Sequence, residues 1–88
     1  MEYYIFSTEE DAFEKNAAIY DLCSPAARSE RITLYAYNVF TNGTYFAMAY
    51  DGWCDAQGLL AGLTPETEEE IINKGYDLEN PIVNYKLN

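Results

Sequence analysis

The chain is 88 residues long and 49% apolar, with 15 acidic residues against 5 basic ones and a net charge of −10. That length fits one domain, residues 1–88, and that apolar fraction is too high for a disordered chain. The charge repels nucleic acid and anionic membranes, so neither is expected as a direct partner, and a protein with a basic surface is the natural complement.

The first predicted element is a short strand over YYIF, residues 3–6, all β-favouring. Ser7 and Glu10 fit a capping box, so a helix is expected to start there. Glu9, Glu10 and Asp11 suit the positive end of its dipole. Phe13, Ala17 and Tyr20 recur at helical spacing, with Ala12, Ile19 and Cys23 widening the same face. Ser24-Pro25 should stop the helix near Leu22–Cys23.

Residues 24–31 read as a loop. A strand follows from Arg31 to Phe40, then the turn dipeptide Asn42-Gly43, then a returning strand from Thr44 to Tyr50. Asn-Gly is the strongest short-range hairpin signal and favours a two-residue type I′ turn, which would pair Thr41 with Thr44 and Tyr35 with Tyr50. Residues 51–63 hold three glycines and allow a short helical turn at 55–61. Thr64-Pro65-Glu66 reads as a helix start, and Gly75 as the residue just past its end. Ile82 to Tyr85 closes the order as a last strand, with Pro81 at its edge.

The order β-α-β-β-α-β predicts an α+β fold, a small four-stranded antiparallel sheet with two helices on one face, as in the ferredoxin-like layout. Within the hairpin, alternation sorts Tyr35, Tyr37, Val39, Phe46, Met48 and Tyr50 onto one face. Ile32, Leu34, Ala36, Asn38, Phe40, Tyr45, Ala47 and Ala49 take the other. Neither face is polar, unlike a one-sided antiparallel sheet. The small alanines make their face the expected seat for the helices. The tyrosine-rich face, with Tyr35, Tyr37, Phe46 and Tyr50, is then a candidate partner-binding surface. The competing reading places those rings at the core edge with only their hydroxyls wet.

Chemistry-bearing motifs are few. The chain has no His, and its two cysteines, Cys23 and Cys54, have no C-x-x-C spacing. One chain therefore cannot supply the four ligands of a structural zinc site, and a cysteine nucleophile would lack a histidine base. DGWCDAQG, residues 51–58, lacks the spacing of a calcium loop, and no phosphate-binding glycine motif occurs. No enzyme activity, metal or cofactor is expected. MEYYIFSTEE has no basic start and no long apolar run, so a cytoplasmic location with reduced thiols is expected.

Two acidic clusters remain. Glu9, Glu10, Asp11 and Glu14 open the first predicted helix; Glu66, Glu68, Glu69 and Glu70 open the second. Acids are favourable at helix starts in any case. As a functional set, Glu9, Glu10, Glu14, Glu66, Glu69 and Glu70 could imitate nucleic-acid phosphates and occupy a basic groove.

The opening YYIFSTEEDAFEKNAAI resembles the start of small phage-encoded proteins with an aromatic first strand and a Thr-Glu start to an Ala-rich helix. The resemblance spans about the first 20 residues and implies a phage setting, where small acidic proteins include inhibitors of host defence nucleases. The expected function is thus a non-catalytic acidic inhibitor of a basic, nucleic-acid-handling host protein, acting as a nucleic-acid mimic. The alternative is a self-associating phage structural or assembly protein, such as a homo-dimer, joined through the tyrosine-rich face.

Overall fold

The computed structural model describes residues 1–22, 38–52 and 56–82. They form β1 (Glu2–Phe6), α1 (Glu9–Leu22), β2 (Val39–Thr41), β3 (Phe46–Tyr50), α2 (Gln57–Leu60) and α3 (Glu68–Asn73). The fold is α+β. Among the described residues the sheet has three strands, all antiparallel, in the order β1-β3-β2. Of the expected first hairpin strand, residues 31–37 lie outside the described residues, as do 83–85 of the expected last strand.

The pairing explains where the core sits. Met48 lies opposite Tyr4 on one side and Val39 on the other, while Ala47 lies opposite Ile5 and Phe40. Successive residues of a strand point to opposite faces, so these two rows back onto different layers. Tyr4, Val39 and Met48 pack with Ala12 and Ile19 of α1, with Leu60 of α2 and with Ala56 just before it. Tyr3, Phe40, Ala47 and Ala49 pack with Ile71 of α3 and with Tyr76. The sheet is therefore covered on both faces.

That arrangement corrects the expected seating of both helices on the alanine face. The alanines receive α3, but α1 lies on the face that carries Phe46, Met48 and Tyr50. Val39 and Met48 are completely buried there. A ferredoxin-like sheet would also place its fourth strand beside β1. Here the outer edge of β1 is bridged by Glu66, whose amide donates to Tyr3 O at 2.8 Å and whose carbonyl accepts from Tyr3 N at 3.0 Å. The Ile82 amide instead donates to Val39 O at 2.8 Å, on the far edge of β2.

The hairpin forms, but with a pairing different from the expected one. Thr41 lies opposite Phe46, and the Asn42 amide donates to Tyr45 O at 3.3 Å. A type I′ turn needs positive φ at both central residues. Only Gly43 has it, at +93°, and among the described residues no non-glycine residue does. The cause is the Asn42 side chain. Its Oδ1 accepts from the amides of Thr44 and Tyr45 at 3.0 and 2.8 Å, standing in for a backbone carbonyl. Its Nδ2 donates to Lys74 O at 3.0 Å, tying the hairpin to the end of α3. The change in pairing is two residues, so every side chain keeps the face that alternation assigned to it.

The helix caps moved as well. Thr8, not Ser7, caps α1: its Oγ1 accepts from the Asp11 amide at 3.1 Å. The buried stripe of α1 is Ala12, Asn16 and Ile19, with Phe13 and Ala17 half-buried beside it. The expected face included Ala12 and Ile19 but not Asn16 between them, because a polar Asn occupies a core position; the Tyr20 side chain and Cys23 of that face lie outside the described residues. Thr67, not Thr64, caps α3, since the extended backbone of Glu66 is committed to the edge of β1. Thr67 and Glu70 form a reciprocal capping box, at 3.2 and 3.0 Å.

The far end of α3 matches its sequence signal. Gly75 has φ +88° and follows the C-cap Lys74. The Tyr76 amide donates to Ile71 O and the Gly75 amide to Ile72 O, the paired bonds of a Schellman ending. Its usual apolar contact is present too, since Tyr76 and Ile71 share one buried cluster.

Candidate interaction surface

The two acidic clusters differ in their surroundings. Thr8 sets the start of α1, and from there Asp11, Glu14, Lys15 and Ala18 fall at i, i+3, i+4 and i+7. That spacing puts them on one flank of the helix, beside the stripe that enters the core. Phe6 at the end of β1 and Leu63 after α2 approach the same flank. Together these six residues line an open groove of about 390 Å³. Asp11 and Glu14 are exposed on it, while Phe6 and Leu63 are half-buried and pack against the core. Lys15 is four residues beyond Asp11, the usual distance for a helical ion pair. Its ammonium instead donates to the carbonyl of Leu59 at 2.7 Å, joining α1 to α2.

Two of the four acids around the start of α3, Glu66 and Glu70, are engaged within the fold. The Glu66 side chain is only 15% exposed and forms an ion pair with Lys74. The Glu70 carboxylate accepts from the Thr67 amide. That bond, with the Thr67 hydroxyl, holds the Glu70 carboxyl below the usual glutamate range. Glu68 and Glu69 are exposed. Further on, the Asn80 side chain and the Glu79 amide donate to Asp77 and hold its carboxyl below the ordinary value.

The clusters do not form one continuous face. α1 and α3 lie on opposite faces of the sheet. They also start at opposite ends of it: α1 follows Phe6 at the end of β1, whereas Glu66 is bridged to Tyr3 near its beginning. Of the sequence-derived candidates, Glu10 and Glu14 are exposed and Glu9 is half-buried at the start of α1. Glu69 and Glu70 are exposed at the start of α3, with Glu66 tucked against the sheet edge.

The aromatic candidates are placed differently. Phe46 and Tyr50 are half-buried and pack against the core beneath α1. Tyr50 meets Tyr4 edge-on, with ring centroids 6.5 Å apart and planes 64° apart. Tyr35 and Tyr37 lie outside the described residues, as do Cys23 and Cys54. The described part of the tyrosine-rich face is thus the floor of a helix layer, the core-edge reading of those rings.

Three tyrosines have hydroxyls held in the neutral form. Burial and a 2.6 Å hydrogen bond to the Glu2 carboxylate push Tyr4 up to about 12. Burial, with Glu68 nearby, raises Tyr3; burial, with Glu66 and Tyr45 nearby, raises Tyr76. Among the described residues no three acids or cysteines converge on a point that could hold a metal ion. None of the described helices is long and apolar enough to cross a membrane.

Sequence reasoning identified the acids but missed Phe6, Lys15, Ala18 and Leu63 as their neighbours. The 11-14-15-18 spacing was the available signal for the helical part of the groove. Compared with known proteins, the chain matches no family model, no curated sequence and no solved structure.

Proposed function

We propose that this chain is a non-catalytic acidic interaction protein that inhibits a basic, nucleic-acid-handling protein by occupying its phosphate-binding surface. The setting we propose is a phage-encoded protein acting in the host cytoplasm against a defence nuclease or a related enzyme. The observation that carries this reading is the excess of 15 acids over 5 bases, part of it presented in a fixed array. Glu10, Asp11 and Glu14 are exposed on a helix whose start is set by Thr8. The five residues from Glu10 to Glu14 occupy about 7.5 Å of helix, so the array has roughly one charge per 2.5 Å, against about one per 1.7 Å along duplex DNA. A surface of that charge density can satisfy arginines and lysines arranged for phosphates.

The test is capture from a bacterial lysate on the immobilised protein, followed by elution with rising salt and, separately, with duplex DNA. The retained proteins are expected to be basic nucleic-acid binders, released by salt and displaced by the duplex. Nothing retained at low salt, or retention indifferent to both eluents, would contradict the reading.

A further inference from the structure

Resting on that reading, we infer that the groove between α1, Phe6 and Leu63 is the contact point for the partner, and that it takes an arginine side chain. The groove has an apolar floor and an acidic rim. Phe6, Ala18 and Leu63 offer surface to an aliphatic stem, and Asp11 and Glu14 lie along one side. An arginine matches both parts, since its methylenes pack on apolar surface while its planar head pairs with carboxylates in bidentate fashion.

The cation at the groove among the described residues does not fill this role. Lys15 lines the groove, but its ammonium is committed to Leu59 O across the α1–α2 junction. Among the described residues no cation pairs with the rim carboxylates, which can take an outside one. At α3, Glu66 is paired with Lys74 and Glu70 closes the Thr67 cap, which leaves Glu68 and Glu69 as the exposed pair for comparison. Charge also selects among occupants. A second copy of this chain would bring a further −10 to a surface that is already acidic. Arginine is favoured over lysine because the ammonium of lysine is more strongly hydrated and makes no planar fork.

The experiment uses the isotope-labelled full chain and two blocked peptides, one alternating glycine with arginine and one alternating glycine with lysine. Amide shifts are followed by NMR at low and physiological salt. The inference expects shifts centred on Phe6, Asp11, Glu14, Ala18 and Leu63, with tighter binding of the arginine peptide. D11N/E14Q should weaken binding about tenfold or more, roughly the loss of one good charged contact. E68Q/E69Q should leave it unchanged, and the dispersion of each variant's spectrum reports that it is folded. Shifts centred on residues 66–70, or equal losses in the two variants, overturn the groove assignment while leaving an acidic interaction protein. Shifts at neither cluster overturn both.

Discussion

The layers on the two faces of the sheet start alike and are used differently. Each is led by a helix with a threonine cap and a first turn crowded with acids. On the α3 side two of the four acids are consumed locally: Glu70 closes the capping box, and Glu66 pairs with Lys74 while bridging to Tyr3, leaving Glu68 and Glu69 exposed. On the α1 side Thr8 alone makes the cap contact, and Asp11 and Glu14 stand on the rim of a groove whose lysine is turned elsewhere. The same residue types at the same kind of position therefore close a helix cap in one layer and stand exposed on a groove in the other. Composition does not distinguish these uses; the partners of each carboxylate do.

The comparison makes predictions of graded size. The largest concern the claim that both layers are core. Met48 and Ile71 are each fully buried, one under α1 and the other on α3. M48A and I71A should each lower unfolding free energy by about 2–5 kcal/mol in denaturant titrations. A cost below about 0.5 kcal/mol for either would mean that its layer behaves as surface. Next is the tie between the hairpin and the α3 layer. N42A removes two acceptor contacts at the turn and the donor to Lys74 O, and should cost about 1–2 kcal/mol. Its amide exchange should quicken at both the turn and the end of α3; quickening at the turn alone would break the proposed tie.

A smaller effect is expected at the caps. T67A should cost about 1 kcal/mol and T67S much less, because serine keeps the accepting hydroxyl. Equal costs would show that the capping box is not what stabilises α3. The smallest effect appears only in alkali. Tyr4 has a folded pKa of about 12, above the ordinary value of 10.0, and Tyr3 and Tyr76 are raised as well. A raised pKa contributes stability that is complete below the unfolded value and lost as pH climbs through the folded one. Stability should therefore decline between about pH 10 and 12, with late phenolate absorbance accompanying unfolding. Full ionisation of all tyrosines near pH 10 with the fold intact would contradict the assigned burial.

Much of the fold was legible in the sequence, and the gaps have physical causes. Glycine and alternation are strong local signals, so the Gly75 ending and the two faces of the hairpin could be read directly. Caps were misplaced by one to three residues because STEE and TPETEEE each contain more than one threonine or serine with an acid downstream. Only the bridge from Glu66 to Tyr3, a contact across more than sixty residues, decides the second case. The alternation showed that both sheet faces needed cover but not which helix covers which, since that depends on the path of the connections. The acidic clusters were plain from composition. The groove was not, because Phe6 and Leu63 reach it only through the tertiary fold.

The central claim is that the α1 acids, rather than the total charge, engage a basic partner. The direct test is the slope of log affinity against log salt for the captured partner, measured with the natural chain, D11N/E14Q and E68Q/E69Q. Each pair of substitutions removes the same charge. The account predicts that D11N/E14Q flattens the slope and weakens binding, while E68Q/E69Q follows the natural chain. Equal flattening by the two variants would contradict it, because charge alone would then account for binding.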